Sequence, residues 1–79
     1  MTQRAEINMK EIEVTKVPIE LFKILKFAGL AESGGEAKSF IERGQVLLNG
    51  TTETQKRKKI VSGDIIEFNK ESFKLIVKD

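Results

Sequence analysis

Between Ser33 and Gly50 the local chemistry of the chain dictates a shape. Ser33 with Glu36 three residues later spells a capping box. The Ser33 hydroxyl is placed to accept from the residue-36 N–H, and the Glu36 carboxylate to reach back to the cap N–H. Ala37, Phe40 and Ile41 then share one helical face. Gly44 stops the helix, because glycine enters the left-handed region without strain. Residues 45–48 read as a short strand, and Asn49-Gly50 is a strong hairpin signal. The segment predicts a capped helix, a glycine stop, a strand and a tight turn in immediate succession.

The flanks add a few more elements. Residues 11–16 alternate polar and apolar, as a half-buried strand does. Pro18 sits near the start of a helix, where its missing N–H costs nothing. Leu21, Ile24, Leu25 and Ala28 form that helix's apolar stripe, and Gly29 ends it. Phe22 and Phe27 do not both fit the stripe, so at least one lies against the sheet or the second helix. Thr51 to Thr54 read as a polar edge strand returning from the turn. Residues 65–68 and 72–77 are further strands, with turns at Ser62-Gly63-Asp64 and Asn69-Lys70-Glu71. Short strands with two helices grouped early predict an α+β fold: two short helices packed on a small, mainly antiparallel sheet. Residues 1–10 read as a loose leader and 11–79 as one domain.

A chain of 79 residues without cysteine has only a modest core and no disulfide or thiolate–metal staple. Histidine, tryptophan and tyrosine are also missing. That removes the commonest general base and the usual metal ligands, so catalysis is the poorer expectation and no cofactor is implied. No apolar run is long enough to span a membrane, and the N-terminus lacks a secretory pattern. Cytoplasmic residence is the default expectation.

The net charge of +2 is unevenly spread. Residues 23–59 carry a net of +4, whereas the segments on either side each carry −1. A modest total can therefore hide a cationic face, and the face is what steers an anionic partner.

Gly29-Leu30, Ser33, Ala37, Ile41, Gly44, Val46, Asn49-Gly50 and Gly63-Asp64 together resemble the RNA-binding domain of ribosomal small-subunit protein S-four, the alpha-L motif. The likeness covers roughly residues 19–68. It departs at Gly34, where many members carry an arginine. Ser33-Gly34-Gly35 with Lys56-Arg57-Lys58-Lys59-Ile60 instead resembles a stand-alone subfamily of small bacterial proteins. The resemblance implies RNA binding with no attached catalytic domain, and ribosomal or transfer RNA as plausible targets.

Candidate contacts follow. Lys56, Arg57, Lys58 and Lys59 read either as a solvated loop or as a phosphate-neutralising run, and the resemblance favours the second. Lys38, in the second turn of the capped helix, is either an exposed helix former paired with Glu42 or a phosphate contact, since in this family that turn faces RNA. Arg43 ranks lower, because a cation suits a helix C-terminus anyway. Ser33, Gly34 and Gly35 offer backbone N–H groups as a phosphate seat, but capping by Glu36 is the better single explanation. Lys23 and Lys26 either cover the first helix's apolar stripe with their stems or extend the patch. The glycine spacing of residues 29–34 imitates a nucleotide-binding loop but lacks the following Lys-Ser/Thr. The phenylalanines read mostly as core, with no exposed aromatic pair for base stacking.

The expected function is non-catalytic binding of a structured RNA, with no membrane and no small-molecule substrate. A protein-interaction adaptor on the same fold and a small DNA-binding protein are the alternatives. RNA recognition requires residues 38 and 56–59 to converge beside the start of the second helix. Their dispersal around the molecule, or their pointing at acidic neighbours, ends the case for nucleic-acid recognition on this patch.

Overall fold

The computed structural model describes residues 9–78. These form strands β1 (Met9–Val14) and β2 (Ile19–Glu20), helices α1 (Leu21–Phe27) and α2 (Gly34–Glu42), and strands β3 (Val46–Leu48), β4 (Thr51–Thr52), β5 (Lys59–Ile60), β6 (Ile65–Phe68) and β7 (Glu71–Val77). Five strands make one sheet in the order β1-β7-β6-β3-β4, and β2 pairs with β5 in a separate two-stranded ribbon. Every pairing is antiparallel except β1 with β7. The expected α+β class holds, with two helices on a mainly antiparallel sheet. Of the leader expected at residues 1–10, residues 1–8 lie outside the described residues, and β1 begins at Met9, within that stretch.

Both helices end in the same way. After α1, Gly29 (φ +80) donates to Lys26 O and Leu30 to Leu25 O. After α2, Gly44 (φ +77) donates to Ile41 O and Gln45 to Phe40 O. This paired bonding is the Schellman motif, and its left-handed residue is the reason for each glycine. Ser33 accepts from Glu36 N at 3.1 Å as expected. The Glu36 carboxylate, however, accepts from Glu32 N at 2.7 Å, one residue ahead of the cap. The expected helix start at Pro18 is also corrected, since β2 intervenes and α1 begins at Leu21.

Asn49 and Gly50 both take positive φ, and Leu48 pairs with Thr51 across the two-residue turn. Asn69 and Lys70 make a second turn of this kind between Phe68 and Glu71. Asn49 also reaches across the sheet's end. Its side chain accepts from Ile65 N at 2.9 Å and donates to Asp64 at 3.1 Å, while Asp64 accepts from Val61 N at 2.9 Å. One turn thus braces the other.

The core lies between helices and sheet. Leu21, Ile24 and Leu25 of α1 and Ala37 and Ile41 of α2 are fully buried, against Val46, Ile66 and Leu75 of the sheet. Phe40 meets Phe68 at 4.8 Å between ring centres, tying α2 to β6. Phe22 packs at the start of α2, as expected of at least one of the two misfit phenylalanines, whereas Phe27 is 65% exposed. No polar side chain is buried among the described residues, and none of their helices is long and apolar enough to cross a membrane.

A Cβ at position 44 would meet only Thr52 Cγ2, at an ordinary 3.6 Å, so the cost of adding one is conformational. Gly44→Ala is expected to lower stability by about 1–2 kcal/mol through left-handed strain, read as a shift in the urea midpoint with an unchanged slope.

Candidate nucleic-acid interface

Helix α1 has no side-chain cap. Its first N–H groups are satisfied instead by the basic segment: Leu21 N donates to Lys58 O at 2.9 Å and Phe22 N to Lys56 O at 3.1 Å. Pairing of β2 with β5 sets Glu20 opposite Lys59 in the same stretch. The backbone of residues 56–59 is therefore bound to the start of α1, and Lys59, expected in a loop, belongs to a strand.

Phe22 is the hub of the arrangement. Its half-buried ring lies where a Cβ on Gly34 would touch it at 3.6 Å, which brings the start of α2 against it. The Lys38 ammonium stands 4.6 Å from the ring centre, the Arg57 guanidinium 5.1 Å and the Lys23 ammonium 6.0 Å. The electron-rich face of an aromatic ring attracts cations at such distances, offsetting their mutual repulsion. Lys38, Arg57 and Gly34 are thus brought together, and Lys56 joins them through its backbone bond to Phe22.

Carboxylates are interleaved with these cations. Arg57 bonds both oxygens of Glu20 at 3.2 and 3.3 Å, and Lys23 lies 3.4 Å from the same group. Withdrawal from water pushes the Glu20 carboxyl up, but hydrogen bonds and charge from Arg57 and Lys23 outweigh that and hold it below the usual range. Lys56 pairs with Glu42 at 2.8 Å, and this bond and charge hold the Glu42 carboxyl low, with Lys38 adding to the pull. Glu42 is therefore the partner of Lys56 rather than of Lys38, which turns to the Phe22 ring. Lys26, Arg43, Lys58 and Lys59 are exposed and form no ion pair among the described residues. Ser33 is committed to its cap, and Glu36 already takes the neighbouring N–H of Glu32. The described residues hold no group of His, Cys, Asp or Glu fit for a metal.

Sequence reasoning missed Phe22 and Glu20. The signal for Phe22 was its misfit with the apolar stripe of α1, next to a helix whose first residues are glycines. Glu20 gave none, because its partner Arg57 is 37 residues away.

Cations from α1, α2 and the 56–59 segment thus meet at one aromatic ring on a helix–glycine–strand–hairpin unit. The family described as S4 domain matches residues 10–76, and the chain belongs to it. It is 43% identical over 58 residues to YbcJ of Escherichia coli (strain K12), covering 73% of this chain and 83% of that protein. YbcJ is also a structural match: TM-score 0.63 at 32% identity, covering 98% of this chain and 96% of the other. That solution structure is described as revealing an alfa-L motif involved in RNA binding. The expected kinship with small stand-alone bacterial proteins holds. A tyrosine–tRNA ligase of Ralstonia nicotianae is 34% identical over 71 residues, 89% of this chain but only 18% of that enzyme. The "Probable ribosome maturation protein RlbA" of Bacillus subtilis is 34% identical over 56 residues, 71% of this chain and 79% of that protein.

Depressed carboxyl pKa values mean that pairing stabilises the fold above the unfolded-state pKa and is lost as pH falls through the folded value. Lys56→Met is therefore expected to return the Glu42 carboxyl toward its ordinary range and flatten the acid limb of stability against pH. Carbon-detected carboxyl titration and urea unfolding at several pH values read the two effects.

Proposed function

We propose that this chain is a non-catalytic RNA-binding module that grips the phosphates of a structured RNA, ribosomal or transfer RNA by preference, within the cytoplasm. The observation that carries this reading is the convergence of Lys38 and Arg57 on the Phe22 ring beside the first residues of α2, in a member of the S4 domain family. Lys56 flanks the pair, while Lys58 and Lys59 continue the run along its exposed edge. Lys56 and Arg57 do meet acidic neighbours, against the sequence expectation, whereas Lys38, Lys58 and Lys59 form no ion pair among the described residues. The Lys56–Glu42 pair is exposed and contributes little, so a polyanion that also releases its counterions displaces it; Glu20 is largely covered and bonds Arg57 with both oxygens, so RNA competes with it for that guanidinium. The binding chemistry is charge and backbone shape. The Phe22 ring is occupied by its own cations, which suits a folded RNA better than stacked single-stranded bases.

Transfer RNA, a ribosomal stem-loop and a DNA duplex of equal length, titrated at several salt concentrations, test the reading. Structured RNA is expected to bind more tightly than DNA. Lys38→Gln and Arg57→Gln are each expected to reduce the slope of log affinity against log salt by about 0.7–0.9. Changing residues 56–59 together to Glu on a still-folded protein is expected to abolish binding, and retained affinity there overturns the assignment. Phe22→Leu, which keeps an apolar filler but removes the π face, is expected to weaken RNA binding by about three- to ten-fold, with Phe22→Tyr restoring most of it. Equal affinity for RNA and DNA favours the DNA-binding alternative.

A further inference from the structure

Away from the cationic face, the other end of α1 carries an apolar feature that RNA binding does not use. Phe27 is 65% exposed and overhangs β1, the outer strand of the five-stranded sheet. A groove lies on each side of it. One, of about 340 Å³, runs past Lys10 to Glu13 and is floored by Ala28, Leu30 and Phe73. The other, of about 290 Å³, continues past residues 13–16 to Ile19. Together they run beside β1 from Lys10 to Val14 and share Phe27 as a wall.

The edge itself is open among the described residues, where β1 pairs only with β7. Lys78 N donates to Val14 O, so the even-numbered residues of β1 turn their backbone groups toward β7. Alternation then leaves the N–H and C=O groups of residues 9, 11 and 13 pointing outward, a template for one more strand.

Charge selects the occupant. Two copies of β1 pairing antiparallel about a two-fold axis place same-face residues opposite each other. Every central register then sets Lys10 against Lys10, Glu11 against Glu11 or Glu13, or Glu13 against Glu13, and like charges directly opposite destabilise a pair. Lys10 is neutralised by Glu71 at 3.1 Å and Glu13 partly by Lys78 at 3.8 Å, while Glu11 has no ion partner among the described residues. Lys16 lines the second groove and Lys74 stands behind Glu11 on β7, but the outer-face positions that a new strand would meet directly, Glu11 and Glu13, are both acidic.

We propose that the β1 edge and Phe27 form a docking site for an extended basic segment of another protein, added as a sixth strand. Its aliphatic side chains enter the grooves beside Phe27, and its alternate lysines or arginines stand across from Glu11 and Glu13. The site is independent of the cationic face, so one molecule holds an RNA and a basic protein strand at once.

The probe is an eight-residue capped peptide of alternating valine and lysine, titrated into the isotope-labelled full chain. Its valine–glutamate counterpart serves as control. Amide shifts are expected at residues 9–16 and Phe27 with the lysine peptide and none with the glutamate peptide. Phe27→Ser and the double change Glu11→Lys, Glu13→Lys touch exposed side chains and are expected to weaken binding by about five-fold or more. Glu11→Pro removes an outward N–H that the fold does not use and is expected to do the same. No shifts, shifts elsewhere, or equal response to both peptides overturns the proposal. So does broadening of β1 signals with protein concentration alone, which marks a second copy as the occupant.

Discussion

The site depends on how α1 begins. A helix leaves its first N–H groups without partners, and here no side chain supplies one. The carbonyls of Lys56 and Lys58 do so instead, from a segment more than 30 residues further along the chain. The bonds are ordinary in strength but their consequence is positional. They lock the basic run to the one turn of helix that carries Phe22, and through Phe22 to the start of α2. The β2–β5 ribbon, only two residues on each strand, completes the same joint.

Around that joint the charges form an alternating lattice rather than a bare positive field. Arg57 is gripped from one side by Glu20 and faced by an aromatic ring, and Lys56 is held by Glu42. Long cationic side chains otherwise lose considerable rotamer entropy on meeting a ligand, and prior fixation lowers that loss. The carboxylates thus hold Arg57 and Lys56 beside Phe22 and the start of α2.

Much of this was legible in the sequence where the determinants are local. The capping serine, the glycine stops, the Asn49-Gly50 turn and the strands expected at 65–68 and 72–77 all follow from residues within a few positions of one another, although Glu71, expected in the turn, opens β7. The ribbon was not legible, because two-residue strands carry no periodicity and Pro18 suggested a helix start. The site was half legible. Lys38 and the 56–59 run stood out by charge, but the Glu20–Arg57 pair and the Phe22 hub are long-range contacts that composition does not encode. Which of Phe22 and Phe27 is packed and which is exposed was not legible, because both fall off the apolar stripe.

The interior holds only aliphatic and aromatic side chains, with no buried polar or charged group among the described residues. Nothing inside the scaffold therefore responds to protons or to dissolved ions. Acidity and ionic strength act on the outer charges alone, so the pairs at Glu20 and Glu42 rather than the interior carry the fold's response to them.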